Sequence, residues 1–255
     1  GGSAAATTAG GSVSVSKVYL GKCEVTDEGA GVLAEFVARE NCALTELRLH
    51  DNRVGDRGVG ALGAALHSNR RLGVLVLGGN RIQKLGAASL GLLLRFNHTI
   101  TDLDVSGNSL GDDGLSLLSD CLPANRALRN LHLARNNISA VGVAALTKAL
   151  ASGCGVLRLN LGGNPLKAEG ARVLAQALSC VGSQRLTHLH VGAAQLGDEG
   201  ATCLAGALHS NYSLSALYMQ GNAITDLGAD PLADALTHNT GLVELHVDGN
   251  DLTRK

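Results

Sequence analysis

Pairs of titratable residues set two apart are the places where this sequence could carry chemistry. His188 and His190 form one such pair, and Asp102 and Asp104 form another. Residues two apart on a β-strand lie on the same face, so each pair would present two groups together. Zinc needs three or four ligands, and no Cys or carboxylate stands beside the histidines at motif spacing, so we expect no metal site. The aspartates lack a companion base or nucleophile, so we expect a solvated acidic patch.

Two arginines suit binding contacts, and the common catalytic motifs are absent. Arg48 and Arg158 suit contacts with carboxylates or other anions, because the guanidinium group is planar and always charged. The sequence contains no GxxxxGK[ST], HExxH or GxSxG motif and no GxGxxG after a strand. We therefore predict that the chain is not an enzyme and needs no cofactor.

These residues belong to a unit that repeats along the chain. Its clearest copy is residues 44–66, LTELRLHDNRVGDRGVGALGAAL, in which LxxLxLxxN is followed by Gly-Asp and an apolar helical pattern. An Asn column recurs in seven copies, with Cys23 and Ala194 as exceptions, and a glycine follows in all eight copies that reach it. The first apolar position recurs every 28 to 30 residues, at Val15, Leu44, Leu72, Ile100, Leu128, Val156, Leu186, Leu214 and Leu242. Such a constant period predicts a solenoid.

Each recurring position has a physical role. The LxL segment alternates like a strand and should bury Leu47 and Leu49. The Asn side chain can bond the backbone of the turn that follows, and the glycine suits close backbone approach at the helix start. A further column should close each helix in the left-handed conformation that Asn and Gly tolerate. Its members are Asn41, Asn69, Asn97, Asn125, Gly153, Asn211 and Asn239.

The unit resembles the ribonuclease-inhibitor-like class of leucine-rich repeats, which pairs LxxLxLxxN with GDxGxxxLxxAL. Similar arrays occur in NOD-like receptors and Ran GTPase-activating proteins. The resemblance implies an α/β solenoid, or horseshoe, of about 8.5 repeats with a parallel β-sheet on the concave face and helices outside. We expect it to cover residues 13–255 without a C-terminal cap, as part of a larger chain. Residues 1–12, rich in Gly, Ala, Ser and Thr, predict a flexible linker.

Composition excludes several functions. The net charge is -1 and 45% of residues are apolar, so no excess of positive charge favours nucleic acid. Only five aromatic residues are present to stack on bases. No apolar run reaches the roughly 18 residues of a membrane-spanning helix. The six cysteines form no CxxC pair, which favours reduced thiols and a cytoplasmic location.

The outward positions of the strands are the candidate binding surface. They are the third, fifth and seventh residues of LxxLxLxxN, on strands about 4.8 Å apart. Tyr, His and Arg side chains offer area and polar contacts at modest entropic cost, so we predict another protein as the partner, bound through the concave face and rims. The candidate residues are Tyr19, Arg48, His50, Asp102, Asp104, His132, Arg158, His188, His190, Tyr218, Glu244, His246 and Asp248.

Two alternative functions come from the resemblance alone. A Ran-type GTPase-activating protein would need a matching Arg and Asn arrangement and an acidic tail, which this sequence does not show. The ligand-sensing array of a NOD-like receptor would need a nucleotide-binding domain before Gly1. The seventh unit departs from the pattern, with a longer loop at residues 181–185 and Ala194 in the Asn column. We predict a local change of curvature there.

Overall fold

The computed structural model describes residues 15–180 and 185–253. Within them, nine short strands alternate with eight helices. Strands β1 to β9 are Lys17–Tyr19, Glu46–Arg48, Val74–Val76, Asp102–Asp104, Asn130–His132, Arg158–Asn160, His188–His190, Ala216–Tyr218 and Glu244–His246. Helices α1 to α8 are Asp27–Val37, Asp56–Leu66, Lys84–Phe96, Gly111–Ser119, Ala140–Ala151, Lys167–Ser179, Gly197–Leu208 and Asp226–His238, with a 3-10 turn at Leu122–Ala124.

The nine strands form one parallel sheet in chain order, with a helix between each strand and the next. Every strand pairs with its neighbour so that equivalent residues are partners; Arg48 pairs with Val76, and Val76 with Asp104. The predicted α/β solenoid with one parallel sheet is thereby confirmed. The pairing of β6 with β7 keeps this register. The lengthened loop lies mostly outside the described residues, at 181–184, and the change of curvature stays a prediction.

The apolar positions of the repeat build one continuous core between sheet and helices. Leu47 and Leu49 are fully buried, as predicted. Helix α2 buries Val59, Leu62 and Leu66 together with two glycines of the same face. Each buried Leu or Val contributes about 1.5–3 kcal/mol relative to an exposed one, so the thin repeat depends on its neighbours for stability.

The Asn column forms a hydrogen-bond ladder between repeats, as the sequence predicts. Asn164 is almost fully buried. Its Nδ2 donates to Leu161 O at 2.8 Å and to Leu133 O of the preceding repeat at 2.9 Å. Its Oδ1 accepts from Asn136 N at 2.8 Å and Ile138 N at 3.0 Å. Backbone groups that would be costly to bury unpaired are thus satisfied by one side chain.

The asparagines of the helix-closing column do not adopt the left-handed conformation that the sequence predicts for them, so this prediction is wrong. Asn97 has φ -91° and ψ 124°, which is extended; within the column only Gly153, at φ 72°, is left-handed. Asn97 Nδ2 donates at 2.8 Å to Leu66 O at the end of the previous helix. Its Oδ1 accepts from Ile100 N at 3.0 Å. A side chain that satisfies the helix-end carbonyl removes the need for a left-handed residue.

In four repeats the recurring glycine makes room for an aspartate of the preceding repeat; these glycines are Gly58, Gly86, Gly142 and Gly228. Asp27 Oδ1 accepts from Gly55 N at 2.6 Å and from Gly58 N at 3.0 Å. A Cβ on Gly58 would lie 2.7 Å from that oxygen. Asp112 and Asp198 bond the starts of α5 and α8 in the same way. The first-turn aspartate of one helix therefore caps the next helix, where a negative charge is favourable.

The predicted linker, residues 1–12, lies outside the described residues, and the domain limits of 13–255 stay a prediction. Within residues 15–180 and 185–253, no helix is both long and apolar enough to cross a membrane.

Candidate functional site: the concave face

Three rows of residues cross the concave face. The first row runs from Lys17 on β1 to Glu244 on β9, and the second runs from Tyr19 to His246. The third row follows the strand ends and contains mostly small residues. Its members are Gly21, His50, Gly78, Ser106, Ala134, Gly162, Gly192, Gln220 and Asp248. All thirteen predicted binding residues lie in these rows, and eight of them belong to three groups along the sheet. The other five lie in the rows outside these groups: His50, His132, Arg158, His188 and Asp248.

The first group is organised by a carboxylate that the predicted site omits. Glu46 is only 7% exposed, although it points to the concave side. Its Oε2 lies 3.1 Å from Lys17 Nζ and accepts from the Tyr19 hydroxyl at 3.2 Å, and its Oε1 accepts from Arg48 Nε. The Arg48 guanidinium lies 5.8 Å from the centre of the Tyr19 ring, within cation–π range. Arg48 and then Lys17 hold the pKa of Glu46 below its usual range.

The second group is the aspartate pair on β4. Asp102 accepts from the Thr101 hydroxyl at 2.6 Å and from Asn130 Nδ2. Asp104 accepts from the backbone N–H of Ser106 at 2.9 Å. Neither carboxylate forms an ion pair with a cation among the described residues. The pair is therefore a negative patch at the centre of the sheet, positioned by neutral donors.

The third group is a stack of three rings on β7, β8 and β9. The ring centres of His190 and Tyr218 are 3.8 Å apart, and those of Tyr218 and His246 are 4.6 Å apart, with planes inclined by 1° and 17°. The Tyr218 hydroxyl donates to Glu244 Oε2 at 2.8 Å, which raises the Tyr218 pKa. Burial is the main cause that lowers the His190 pKa, and nearby histidines add to it.

The three groups are separate. One strand, β3, lies between Arg48 and Asp104, and one strand, β5, lies between Asp104 and the strand of Arg158, so the predicted residues do not converge on one centre. Within the described part of the chain, no group of three or more His, Cys, Asp or Glu side chains is placed to hold a metal ion. The arrangement offers a long surface with fixed charges and rings, which suits recognition of an extended partner surface.

A groove of about 740 Å³ lies along the third row, from β2 to β7. Two residues that line it, Asp51 and Arg135, were missed from the sequence. Both stand just before the Asn column, and both are left-handed, at φ 56° and 53°. A sequence signal for this conformation does exist: in five other repeats the same position is a glycine, giving the recurring dipeptide Gly-Asn.

The fold and this surface define a class: an α/β solenoid whose inner sheet is its variable face. Six stretches of the chain match the family model described as "Leucine Rich repeat", at residues 40–63, 96–119, 124–146, 156–175, 182–205 and 210–233. Together they cover more than half of the 255 residues. The chain belongs to the leucine-rich repeat family.

Two solved structures are similar to this chain. The leucine-rich repeat ectodomain of the Arabidopsis receptor kinase HAESA, solved with an N-terminally extended IDA peptide hormone, matches with a TM-score of 0.52 and 18% identity over 92% of this chain. This chain spans 34% of that ectodomain. Actin-binding site 2 of leiomodin-1 matches with a TM-score of 0.48 and 21% identity over 54% of this chain and 79% of that one. No curated protein matches the chain.

Proposed function

We propose that this chain is a non-catalytic scaffold that binds another protein through the concave face and rims of the solenoid. One observation carries the proposal. The repeat divides into buried positions that build the solenoid and outward positions that carry three ordered groups of Tyr, His, Arg, Asp and Glu side chains along the sheet. Charged side chains without an ion pair, such as Asp104 among the described residues, are held at fixed places on that surface.

The contacts within the surface support binding. The ring stack from His190 to His246 and the bonds around Glu46 order their side chains before any partner arrives. Preordered side chains lose less conformational entropy on binding. Charges of both signs alternate along the sheet, which suits the mixed charges of a protein surface better than the uniform charge of nucleic acid.

Two finer statements belong to the same proposal. We assign the repeats to the ribonuclease-inhibitor-like class, which is supported by a repeat of 28 to 30 residues with a helix of 9 to 13 residues in each of eight copies of the described part. We also propose a cytoplasmic location, supported by six free thiols, two of them buried. Burial raises the pKa of the Cys154 thiol and keeps it protonated.

Affinity capture with two matched variants tests the proposal. The concave variant replaces four outward residues of the sheet by alanine: Tyr19, Arg48, His132 and Tyr218. The control variant replaces four exposed apolar residues of the helices by alanine: Val32, Leu85, Val141 and Leu227. We expect the concave variant to lose proteins that the wild type and the control both retain.

Thermal unfolding of all three proteins checks that the substitutions leave the solenoid folded. The predicted loss is large, because a few central aromatic and Arg residues dominate most interfaces, at about 2 kcal/mol or more each. Identical captured proteins for the wild type and the concave variant would refute a concave binding face. Loss in the helix variant alone would place the interface on the outer surface instead.

A further inference from the structure

The carboxylates of the concave face are unevenly distributed along the sheet. In the first two rows they stand on β2, β4 and β9, as Glu46, Asp102, Asp104 and Glu244, and the third row adds Asp248 after β9. On strands β5 to β8, none of the three rows contains Asp or Glu. The outward positions of these four strands therefore form a stretch of the concave face without acidic side chains.

Side chains that can donate hydrogen bonds occupy the middle of this stretch. Arg158 on β6 is the register partner of His188 on β7, and Asn160 is the partner of His190 one row away. Arg158 is exposed and forms no ion pair with another described residue. Asn160 Oδ1 accepts from Gly162 N at 2.9 Å, which leaves the NH2 group of this amide for a ligand. Two neighbouring strands thus offer four potential donors and no carboxylate.

Carboxylates border this stretch at both ends but lie too far away to neutralise its middle. Asp102 on β4 is two strand spacings, about 10 Å, from Arg158, and Glu244 on β9 is equally far from His188. That distance is about one Debye length at 0.1 M salt, so exposed charges this far apart are largely screened. Glu244 already accepts from the Tyr218 hydroxyl at 2.8 Å. The Arg158 charge is therefore available to a ligand.

The histidines of this surface repel one another when they are protonated. Burial is the main cause that lowers the His190 pKa, and the other histidines of the second and first rows lower it further. The charged and titratable groups on the surrounding strands, in order from β4 to β9, are Asp104, His132, Arg158, His188, Tyr218, Glu244 and His246. A bound anion would offset the repulsion and favour the protonated rings. Anion binding should therefore tighten as the pH falls toward about 6.5, the ordinary His pKa.

The acidic borders limit the length of the ligand. Three strand spacings from β5 to β8 give about 14 Å, which an extended chain covers in about four residues. A longer polyanion such as nucleic acid would bring its charge against Asp102 and Asp104 at one border or Glu244 at the other. A short run of carboxylates fits this surface without that repulsion.

We propose that the outward positions of β5 to β8 bind a short acidic segment of another protein. Its carboxylates lie against Arg158 and accept hydrogen bonds from His188, His190 and Asn160. The inference rests on the proposed scaffold function and names the chemistry of its partner. Charge complementarity decides the choice, because the described part of the chain supplies no acidic group for these donors.

Fluorescence anisotropy with labelled peptides tests the charge requirement. The matched peptide carries about four consecutive Glu between flanks of Gly and Ser, and the control peptide has Gln in place of each Glu. We expect the Glu peptide to bind the full chain at least about tenfold more tightly than the Gln peptide at low salt. Binding should be several-fold tighter at about pH 6 than at about pH 7.5. Equal binding of the two peptides, no binding of either, or tighter binding of a single-stranded oligonucleotide would overturn the inference.

Removal of the arginine charge locates the peptide on the sheet. Arg158→Gln should weaken the Glu peptide about fivefold. The matched control is Arg57→Gln, the same charge change at an exposed position of α2, which should leave the affinity unchanged. If the two variants bind the Glu peptide equally well, the inference is wrong.

Removal of the histidines tests the pH dependence. The double variant His188→Gln, His190→Gln should lose most of the strengthening in acid. The control double variant His209→Gln, His238→Gln changes two exposed histidines at the ends of α7 and α8 and should keep it. Thermal unfolding of every variant checks that the solenoid is folded. Capture of proteins by the concave face together with failure of the Glu peptide would refute this inference and leave the scaffold function standing.

Discussion

Replacing Ala194 by Asn should strengthen the solenoid where its ladder is interrupted. Ala194 is fully buried and occupies the Asn position of the seventh repeat. In the fifth repeat, Asn136 N and Ile138 N both donate to an Asn side chain of the next repeat. In the sixth, Leu166 N bonds instead to Asn164 O of its own repeat, at 2.8 Å. The substitution would offer an acceptor to the same two positions, Asn164 N and Leu166 N.

The expected gain is about 1 kcal/mol, with a range of roughly 0.5–1.5 kcal/mol. The new Nδ2 would find Leu161 O and Val191 O, but each of these carbonyls already accepts one Asn side chain. Leu166 N is already bonded, so the main new partner is Asn164 N. One net hydrogen bond contributes about 0.5–1.5 kcal/mol, and fixing the Asn side chain offsets part of the sum.

Urea unfolding and hydrogen exchange measure the effect. We expect a higher urea midpoint, a melting temperature raised by about 2–4 °C, and slower exchange of the Asn164 amide. The matched control is Asn136→Ala, which removes three Nδ2 bonds from an uninterrupted part of the ladder and should destabilise by about 1–3 kcal/mol. If Asn136→Ala destabilises as expected and Ala194→Asn does not raise the free energy of unfolding, the missing Asn at position 194 does not lower the stability of the solenoid.

Three further outcomes follow from the helix caps and the ring stack. Asp112→Ala should destabilise by about 1–2 kcal/mol in urea unfolding, because the start of α5 loses its acceptor; Asp113→Ala, which removes only an exposed contact, should change little. Hydrogen bonds from Thr225 lower the Asp198 pKa, so the stability that Asp198 contributes is present above about pH 4 and is lost as the pH falls through the folded-state pKa. The destabilisation caused by Asp198→Ala should therefore be smaller in unfolding experiments at acid pH. Burial lowers the His190 pKa, so the free energy of unfolding should decrease as the pH drops below about 6.5. The NMR titration midpoint of His190 should lie below that value. His190→Gln should reduce the loss of stability in acid.

The repeat period made most of the fold predictable from the sequence. A column of Leu at one spacing and of Asn at another requires the same backbone in every copy, and only a stacked sheet buries Leu47 and its equivalents together. The family match, the parallel register and the buried Asn ladder confirm this. The Asn column at the helix ends shows where residue type misleads. Asn tolerates the left-handed region, but Asn97 uses its side chain on its neighbours and stays extended.

The candidate surface was predictable only as a set of positions. The strand pattern gives the direction of a side chain, so the outward residues could be named. It does not give the contacts of each side chain. Glu46 lies on the outward face but is buried, because it pairs with Lys17 of the preceding repeat and with Arg48 on its own strand. The predicted binding role of each residue stays a prediction, because no contact within the chain measures affinity.

The position before the Asn column is part of the turn of each repeat, and it also lines the groove. A residue other than glycine there costs about 1–2 kcal/mol in the left-handed region, and Asp51 and Arg135 both stand there. The next repeat has a glycine at the same position in each case, Gly79 and Gly163, and a Cβ on either would lie within 3 Å of the side chain that crosses it. In these two pairs of neighbouring turns, one turn carries the charged side chain and the glycine of the next turn leaves space for it. This pairing limits the positions open to the Asp51 and Arg135 side chains more than the strand pattern alone does.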